Sequence, residues 1–122
     1  MERAGDSMKK CSVEVAVELI DGKWKIMIIH YLLGGKRRFN ELKKLLPGVT
    51  QRMLTNQLRE LERDLLVSRT VHAEVPPRVE YELTELGRSM EPILLQIRDW
   101  GERYEKALEA ASQAPIGRSA EE

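Results

Sequence analysis

The chain has little of what metal sites and disulfide frameworks need. Its 122 residues include one cysteine, Cys11, and two histidines, His30 and His72, which lack metal-ligand spacing. A single cysteine cannot form an intramolecular disulfide, and a structural zinc site requires a full set of thiolate and imidazole ligands. We therefore expect no metal, no disulfide framework and no bound cofactor.

Long apolar runs are also absent. The longest, residues 26–33, is eight residues long and is interrupted by His30, whereas a membrane-spanning helix needs about 20 apolar residues. Residues 1–20 contain no apolar run before a small-residue cleavage site, so no secretory signal is visible. We expect a cytoplasmic protein without a membrane partner.

Charge is balanced overall but unevenly distributed. The chain holds 20 basic and 20 acidic residues. Residues 36–78 carry ten Lys or Arg against five Asp or Glu, whereas residues 79–122 carry five against ten. The basic segment favours an anionic partner such as a nucleic acid, although a solvated surface with uneven charge gives the same pattern.

Apolar residues at helical spacing predict four helices in the first half of the chain. They cover residues 13–20, 23–33, 41–46 and 51–64. The N-caps expected for the first, third and fourth helices are Ser12, Asn40 and Thr50. Pro47 and Gly48 stop the third helix and turn the chain, so the third and fourth helices form a helix-turn-helix candidate.

Beyond residue 66 the apolar period changes to two, which predicts strands over residues 67–75 and 79–83. The prolines between them cannot donate to a ladder, so we expect a hairpin whose tip is formed by residues 76–78. The cross-strand pairs that match the apolar faces are Val71 with Leu83 and Ala73 with Tyr81.

A long last helix is predicted over residues 85–111, capped by Thr84 and bent or restarted at Pro92. Its apolar residues are separated by steps of three and four, which keep one seam in line along paired helices. They are Leu86, Met90, Ile93, Ile97, Trp100, Tyr104 and Leu108. At about 1.5 Å per residue the helix is too long for its own domain to cover this seam, so we expect a homodimer.

The predicted helix over residues 51–64 has one side without acidic residues. Leucines at steps of three and four face inward, and the opposite side carries Gln51, Arg52, Thr55, Asn56 and Arg59. These residue types read base edges and phosphates in double-stranded DNA. A hairpin with Arg78 at its tip would extend the contact to the neighbouring backbone or minor groove.

Several motifs occur in order between Cys11 and Tyr104. They include Gly22-Lys23-Trp24, Arg38-Phe39-Asn40-Glu41-Leu42, Pro47-Gly48-Val49-Thr50-Gln51-Arg52-Met53-Leu54, Leu58-Arg59-Glu60-Leu61-Glu62 and Glu74-Val75-Pro76-Pro77-Arg78-Val79-Glu80-Tyr81. Together they resemble the HxlR-type transcriptional regulators, winged helix-turn-helix proteins related to the MarR superfamily.

The resemblance implies a homodimeric DNA-binding repressor or activator with its fourth helix in the major groove of a pseudo-palindromic operator. The DNA contacts expected are Arg38, Thr50, Gln51, Arg52, Thr55, Asn56, Arg59 and Arg78. The first and last helices would form the dimer, with contacts from Val13, Val17, Met90, Ile93, Ile97, Trp100 and Tyr104. The expected fold is mainly α with a small β-hairpin: an arm (residues 1–11), one winged helix-turn-helix domain (residues 12–111) and a flexible tail (residues 112–122).

Cys11 has two interpretations. It is either a partly buried small residue before the first helix or a redox or electrophile switch, because Lys9, Lys10 and the helix N-terminus would favour its thiolate. The resemblance supports the switch, since several HxlR-like regulators place a sensing cysteine at this point.

The sequence departs from the family pattern at Leu65. Such proteins usually have a glycine there, which accepts the left-handed conformation of a helix C-cap.

Three alternatives stay open beside a redox-responsive regulator. In the first, the regulator responds to a small-molecule effector instead of to thiol chemistry, and Trp24, Trp100 and Tyr104 are candidate pocket residues. A winged-helix interaction module would lack DNA binding. An enzyme is not expected, because pairing Cys11 with either histidine matches no nucleophile signature.

Overall fold

The computed structural model describes residues 10–113, so the predicted arm and tail lie almost wholly outside them. Across the described residues the chain forms six helices and three strands. They are α1 (Ser12–Leu19), α2 (Lys23–Leu32), β1 (Arg37–Arg38), α3 (Phe39–Leu45), α4 (Gln51–Arg63), β2 (Val67–His72), β3 (Arg78–Leu83), α5 (Glu85–Arg88) and α6 (Glu91–Ser112). A boundary between Ser89 and Met90 separates two units, of which the second contains α6 alone. The prediction of a mainly helical fold with a small antiparallel sheet is confirmed.

Helices α2, α3 and α4 supply most of the core of the first unit. The apolar spacing places the same leucines of α4 inside that the sequence predicts, and α2 buries Ile28 and Ile29 beside them. The fully buried side chains of this core are Ile28, Ile29, Leu32, Leu42, Leu46, Leu54, Leu58 and Leu61. Each such side chain contributes about 1.5–3 kcal/mol of transfer free energy, so this cluster fixes where α4 lies.

The turn between α3 and α4 has the predicted chemistry. Gly48 adopts a φ of 92°, which an L side chain rarely accepts. Thr50 is the N-cap of α4, and its hydroxyl oxygen accepts the Met53 N–H at 3.1 Å. The predicted cap and turn of the helix-turn-helix are therefore confirmed.

The caps predicted for α1 and α3 are wrong. Helix α1 begins at Ser12 with Cys11 as N-cap, and the Glu14 carboxylate accepts the Cys11 N–H at 3.2 Å. Helix α3 likewise begins earlier than predicted, with Arg38 as N-cap and its N–H donated to Glu41 at 2.7 Å. In both places a glutamate at the third helical position satisfies the N-cap amide, so the serine and asparagine lie inside the helices.

The sheet contains a strand that the sequence analysis missed. Its order is β1-β3-β2, with all pairs antiparallel. Strand β1 is two residues long and places Arg37 opposite Tyr81 and Arg38 opposite Glu80. The Arg37 guanidinium also donates to the Tyr31 carbonyl at 3.0 Å, so β1 depends on distant partners rather than on its own sequence.

The predicted hairpin register is wrong by four residues. Val67, not Val71, lies opposite Leu83, and Val71 lies opposite Val79. Alternation fixes only which face a residue occupies, and a shift of four preserves that face. The chain leaves the ladder after His72, so residues 73–77, including both prolines, form the loop, which is fully on the surface.

Helix α4 ends in a left-handed residue. Leu65 has a φ of 68°, its N–H donates to the Glu62 carbonyl at 3.0 Å, and the Leu66 N–H donates to the Leu61 carbonyl at 2.9 Å. This pair of bonds is the Schellman arrangement. The left-handed position is thus occupied by leucine, and α4 ends one residue before the predicted end.

The last predicted helix is broken into α5 and α6, as the proline allows. Thr84 caps α5 by accepting the Gly87 N–H at 3.0 Å. Helix α6 restarts at Glu91 with Pro92 in its first turn, where no amide hydrogen is needed. Leu86 therefore belongs to α5 and not to α6. Within residues 10–113, no helix combines the length and apolar character needed to cross a membrane.

Candidate nucleic-acid interface

The exposed side of α4 brings five predicted DNA contacts together. Gln51, Arg52, Thr55, Asn56 and Arg59 line one surface groove. Thr55 is half-buried and the other four are exposed. Because all five come from one rigid helix capped by Thr50, their spacing is set by helix geometry.

The acidic residues near this side are engaged elsewhere. Glu60 pairs with Lys25 of α2 at 2.5 Å, and Glu62 pairs with Arg69 of β2 at 3.6 Å. Within the described residues, Arg52 and Arg59 have no such acidic partner. The groove therefore carries two guanidinium charges beside neutral amide and hydroxyl groups, which suits an anionic ligand with polar edges.

The buried Lys25 was missed by the sequence analysis. It lies on α2 and is 7% exposed, and its hydrogen bond lowers the pKa of the Glu60 carboxyl. A cation one turn before the buried Ile28 and Ile29 was the available signal, because a charge on an otherwise apolar helix face needs a partner.

The wing places its arginine differently from the prediction. Arg78 is the first residue of β3 rather than part of the tip, and it is half-buried. Its guanidinium lies 2.9 Å from Glu74 and 3.6 Å from Glu80. The loop of residues 73–77 contains no basic side chain, so the positive charge of Arg78 lies at the start of β3 and not in the loop.

Arg38 and Arg78 line a common groove with Pro77 and Asn40. Arg38 is exposed, whereas Arg78 is held by its acidic neighbours. The two predicted DNA contacts Arg38 and Arg78 therefore lie in one groove, and only Arg78 is held by acidic side chains. This groove is formed by the N-terminus of α3 and the start of β3.

Glu80 is the centre of a small charged cluster on the sheet. Its carboxylate lies 2.8 Å from His72 Nε2, 3.6 Å from Arg78 and 4.0 Å from Lys36. The His72 hydrogen bond, followed by the Arg78 charge, lowers the pKa of the Glu80 carboxyl. His72 therefore pairs with Glu80.

Helix α3 adds basic residues that the predicted site omitted. Lys43 and Lys44 are exposed and line a second groove with Asn40. The signal was the excess of basic residues in the segment of residues 36–78. This charge lies on the helix that precedes α4 in the motif.

Cys11 is exposed at the N-cap of α1. Lys10, which was expected to favour its thiolate, instead binds Glu18 at 2.7 Å, and Lys9 lies outside the described residues. Among residues 10–113, no three His, Cys, Asp or Glu side chains gather in a group that could hold a metal ion.

Large apolar side chains are exposed on α1 and on α6. Helix α1 has no buried residue, and Val13 is 71% exposed. On α6, Trp100 and Tyr104 are 60% and 52% exposed, and their rings stack at 5.5 Å. Ile93 and Ile97 are also exposed, so the residues of the predicted seam share exposed positions on α6.

A model of the HxlR-like helix-turn-helix family matches residues 19–109. The chain belongs to this family. It is 50% identical over 117 residues to an uncharacterised HTH-type transcriptional regulator, YdeP, of Bacillus subtilis strain 168, covering 93% of this chain and 91% of that protein. The family comprises transcriptional regulators and is not an enzyme class.

Solved structures of related regulators share the fold. The redox regulator HypR in its reduced form is 51% identical with a TM-score of 0.78, covering 82% of this chain and 99% of that chain. Its oxidised form is 54% identical with a TM-score of 0.72, covering 76% and 96%. A regulator of the MarR family from Enterococcus faecalis V583 is 38% identical with a TM-score of 0.73, covering 86% and 98%. The winged helix-turn-helix prediction is confirmed.

Proposed function

We propose that this HxlR-like regulator binds a specific sequence of double-stranded DNA as a homodimer, with α4 in the major groove. The acid-free groove along α4 is the observation that carries the proposal. Arginine pairs with guanine edges, and asparagine or glutamine pairs with adenine edges, each through two hydrogen bonds. Arg52, Arg59, Gln51 and Asn56 supply these groups from one helix face.

Residues around α4 would fix its register on the DNA backbone. Arg38 is exposed and Arg78 lies beside it in the same groove. The Thr50 hydroxyl accepts the Met53 N–H, which leaves its own proton available for a phosphate at the helix N-terminus. Lys43 and Lys44 add exposed charge on α3. Such contacts supply affinity but no sequence information.

The exposed apolar residues of α1 and α6 support a homodimer. Each helix exposes a row of large apolar side chains, and extended apolar surface is uncommon on monomeric proteins and marks an interaction site. A two-fold dimer would present two α4 helices to half-sites about one DNA turn, roughly 34 Å, apart or a multiple of that distance. The binding site would therefore be pseudo-palindromic.

We also propose that oxidation of Cys11 regulates binding, supported by its exposure and by the similarity to HypR, whose structures are named for reduced and oxidised forms. With one cysteine per chain, the protein disulfide available is between two subunits. Two thiols would each lose a proton and an electron to form the S–S bond, and an azo oxidant such as diamide would take up both protons and both electrons as its hydrazine.

Selection from a random pool of duplexes tests the proposed DNA recognition. The wild-type protein should enrich a pseudo-palindromic sequence and bind it about 10³-fold or more tightly than a scrambled duplex. Enrichment of no sequence, with equal affinity for both duplexes, would contradict sequence-specific binding.

A further inference from the structure

An ion pair between a buried lysine and a half-buried glutamate joins α2 to the helix that is proposed to read DNA. Among residues 10–113, no other charged residue is as buried as Lys25, and its Nζ lies 2.5 Å from Glu60 Oε1 on α4. The hydrogen bond from Lys25 lowers the pKa of the Glu60 carboxyl. None of the proposed DNA contacts uses either residue.

Stability alone does not account for a lysine at this place. Withdrawing an ammonium from water has a large free-energy cost, and an apolar residue of similar volume is often at least as stabilising as a buried ion pair. An ion pair is directional, however, whereas the leucine contacts of α4 with the core are not. The packed leucines hold α4 by shape, and the Lys25–Glu60 contact adds a directional constraint on its rotation about its own axis.

The rotation of α4 decides where its polar side chains point. Glu60 directly follows Arg59 and lies one helical turn after Asn56. A helix with its side chains has a radius of about 5–6 Å, so a rotation of about 20° moves the side-chain ends by about 2 Å. Hydrogen bonds to base edges tolerate only a few tenths of an ångström, so such a rotation would break them.

We propose that Lys25 is a positioning residue that fine-tunes the rotation of α4 through Glu60, and thereby the sequence discrimination of Asn56 and Arg59. The inference rests on the proposed DNA binding. Lys25 itself contacts no DNA, because it lies inside the first unit. Backbone contacts, which carry most of the non-specific affinity, do not depend on this pair.

Lys25→Met tests the inference, because methionine has a similar length and no charge. The full-length protein is measured against the duplex selected by the wild type and against a scrambled duplex, with the unfolding midpoint recorded in parallel. We expect affinity for the selected duplex to fall at least about tenfold, and affinity for the scrambled duplex to change less than about threefold. Lys23→Met is the matched control, since Lys23 is exposed on the same helix and loses the same charge.

The Lys23→Met control separates the loss of one positive charge from the loss of the contact with Glu60. If Lys25→Met keeps the wild-type ratio of the two affinities, or if Lys23→Met lowers the ratio as much, the positioning role is refuted. A wild-type protein that selects no duplex refutes the proposed function itself, which is a different failure.

Glu60 variants complete the test if Lys25→Met does not fold. Glu60→Gln keeps an oxygen that can accept from the Lys25 ammonium, whereas Glu60→Ala does not. We expect Glu60→Ala to lower the affinity ratio about tenfold and Glu60→Gln to lower it less than about threefold. Equal ratios for the two variants, whether at the wild-type value or below it, would overturn the inference.

Discussion

Replacing Leu65 by glycine is expected to stabilise the protein. Leu65 has a φ of 68° after the last turn of α4, where the N–H groups of Leu65 and Leu66 make the two Schellman hydrogen bonds. A left-handed conformation costs a residue with a Cβ about 1–2 kcal/mol. The leucine side chain is 68% exposed, so its removal sacrifices little buried apolar area.

The expected magnitude follows from two opposing terms. Glycine removes the left-handed penalty but increases the conformational entropy of the unfolded chain, which costs about 0.4–1 kcal/mol. The net gain is about 0.5–1 kcal/mol. For a domain of about 60–100 residues this raises the thermal midpoint by about 2–8 °C.

Thermal and urea unfolding, followed by circular dichroism, measure this gain. Wild type and variant are compared at one protein concentration, because the midpoint of a dimer depends on concentration. Gly48→Ala is the opposite control: its φ is 92° and an added Cβ would meet only a Trp24 ring carbon at 4.0 Å. We expect it to lower stability by about 1 kcal/mol. A Leu65→Gly midpoint at or below that of wild type, with Gly48→Ala destabilised, would refute the strain assigned to Leu65.

Two further results are expected. Trp100→Glu places a charge among the exposed apolar residues of α6, so in sedimentation a species of twice the 14.1 kDa chain mass should become one of the chain mass. Lys106→Glu, on the opposite side of the helix, should remain dimeric. A dimeric Trp100→Glu would exclude this seam from the interface. Diamide should change the affinity of the wild type for its selected duplex and leave Cys11→Ser unaffected; an equal response of both proteins would make Cys11 structural.

Local rules account for the parts of the fold that the sequence predicted well. The stripe of Leu54, Leu58 and Leu61 and the Thr50 cap each depend on residues within one or two turns of α4. The same holds for the cap at Thr84 and the restart at Pro92. The five groove residues of α4 follow from that helix, so they could be listed before the fold was seen.

Non-local partners account for what the sequence did not predict. Strand β1 exists because Arg37 and Arg38 pair with β3 across more than forty residues. The hairpin register was predicted wrongly because the alternation of apolar and polar residues cannot distinguish registers that differ by an even number of residues. Arg78 was expected at the wing tip, but its position depends on that register and on Glu74 and Glu80. The proposed positioning role of Lys25 depends on Glu60, which lies on another helix.

Base-pair substitution in the selected duplex tests most directly whether α4 reads DNA sequence. The duplex is changed one base pair at a time in both half-sites, and binding of wild type, Arg59→Ala and Arg88→Ala is measured by fluorescence anisotropy at fixed salt. We expect Arg59→Ala to lose about 1–3 kcal/mol of binding free energy on the selected duplex and to lose discrimination at one position of each half-site. Arg88 is an exposed arginine of α5, and Arg88→Ala should keep the wild-type base preferences. If Arg59→Ala weakens all duplexes equally and keeps every base preference, Arg59 binds the backbone and the proposed reading of base edges by this residue is wrong.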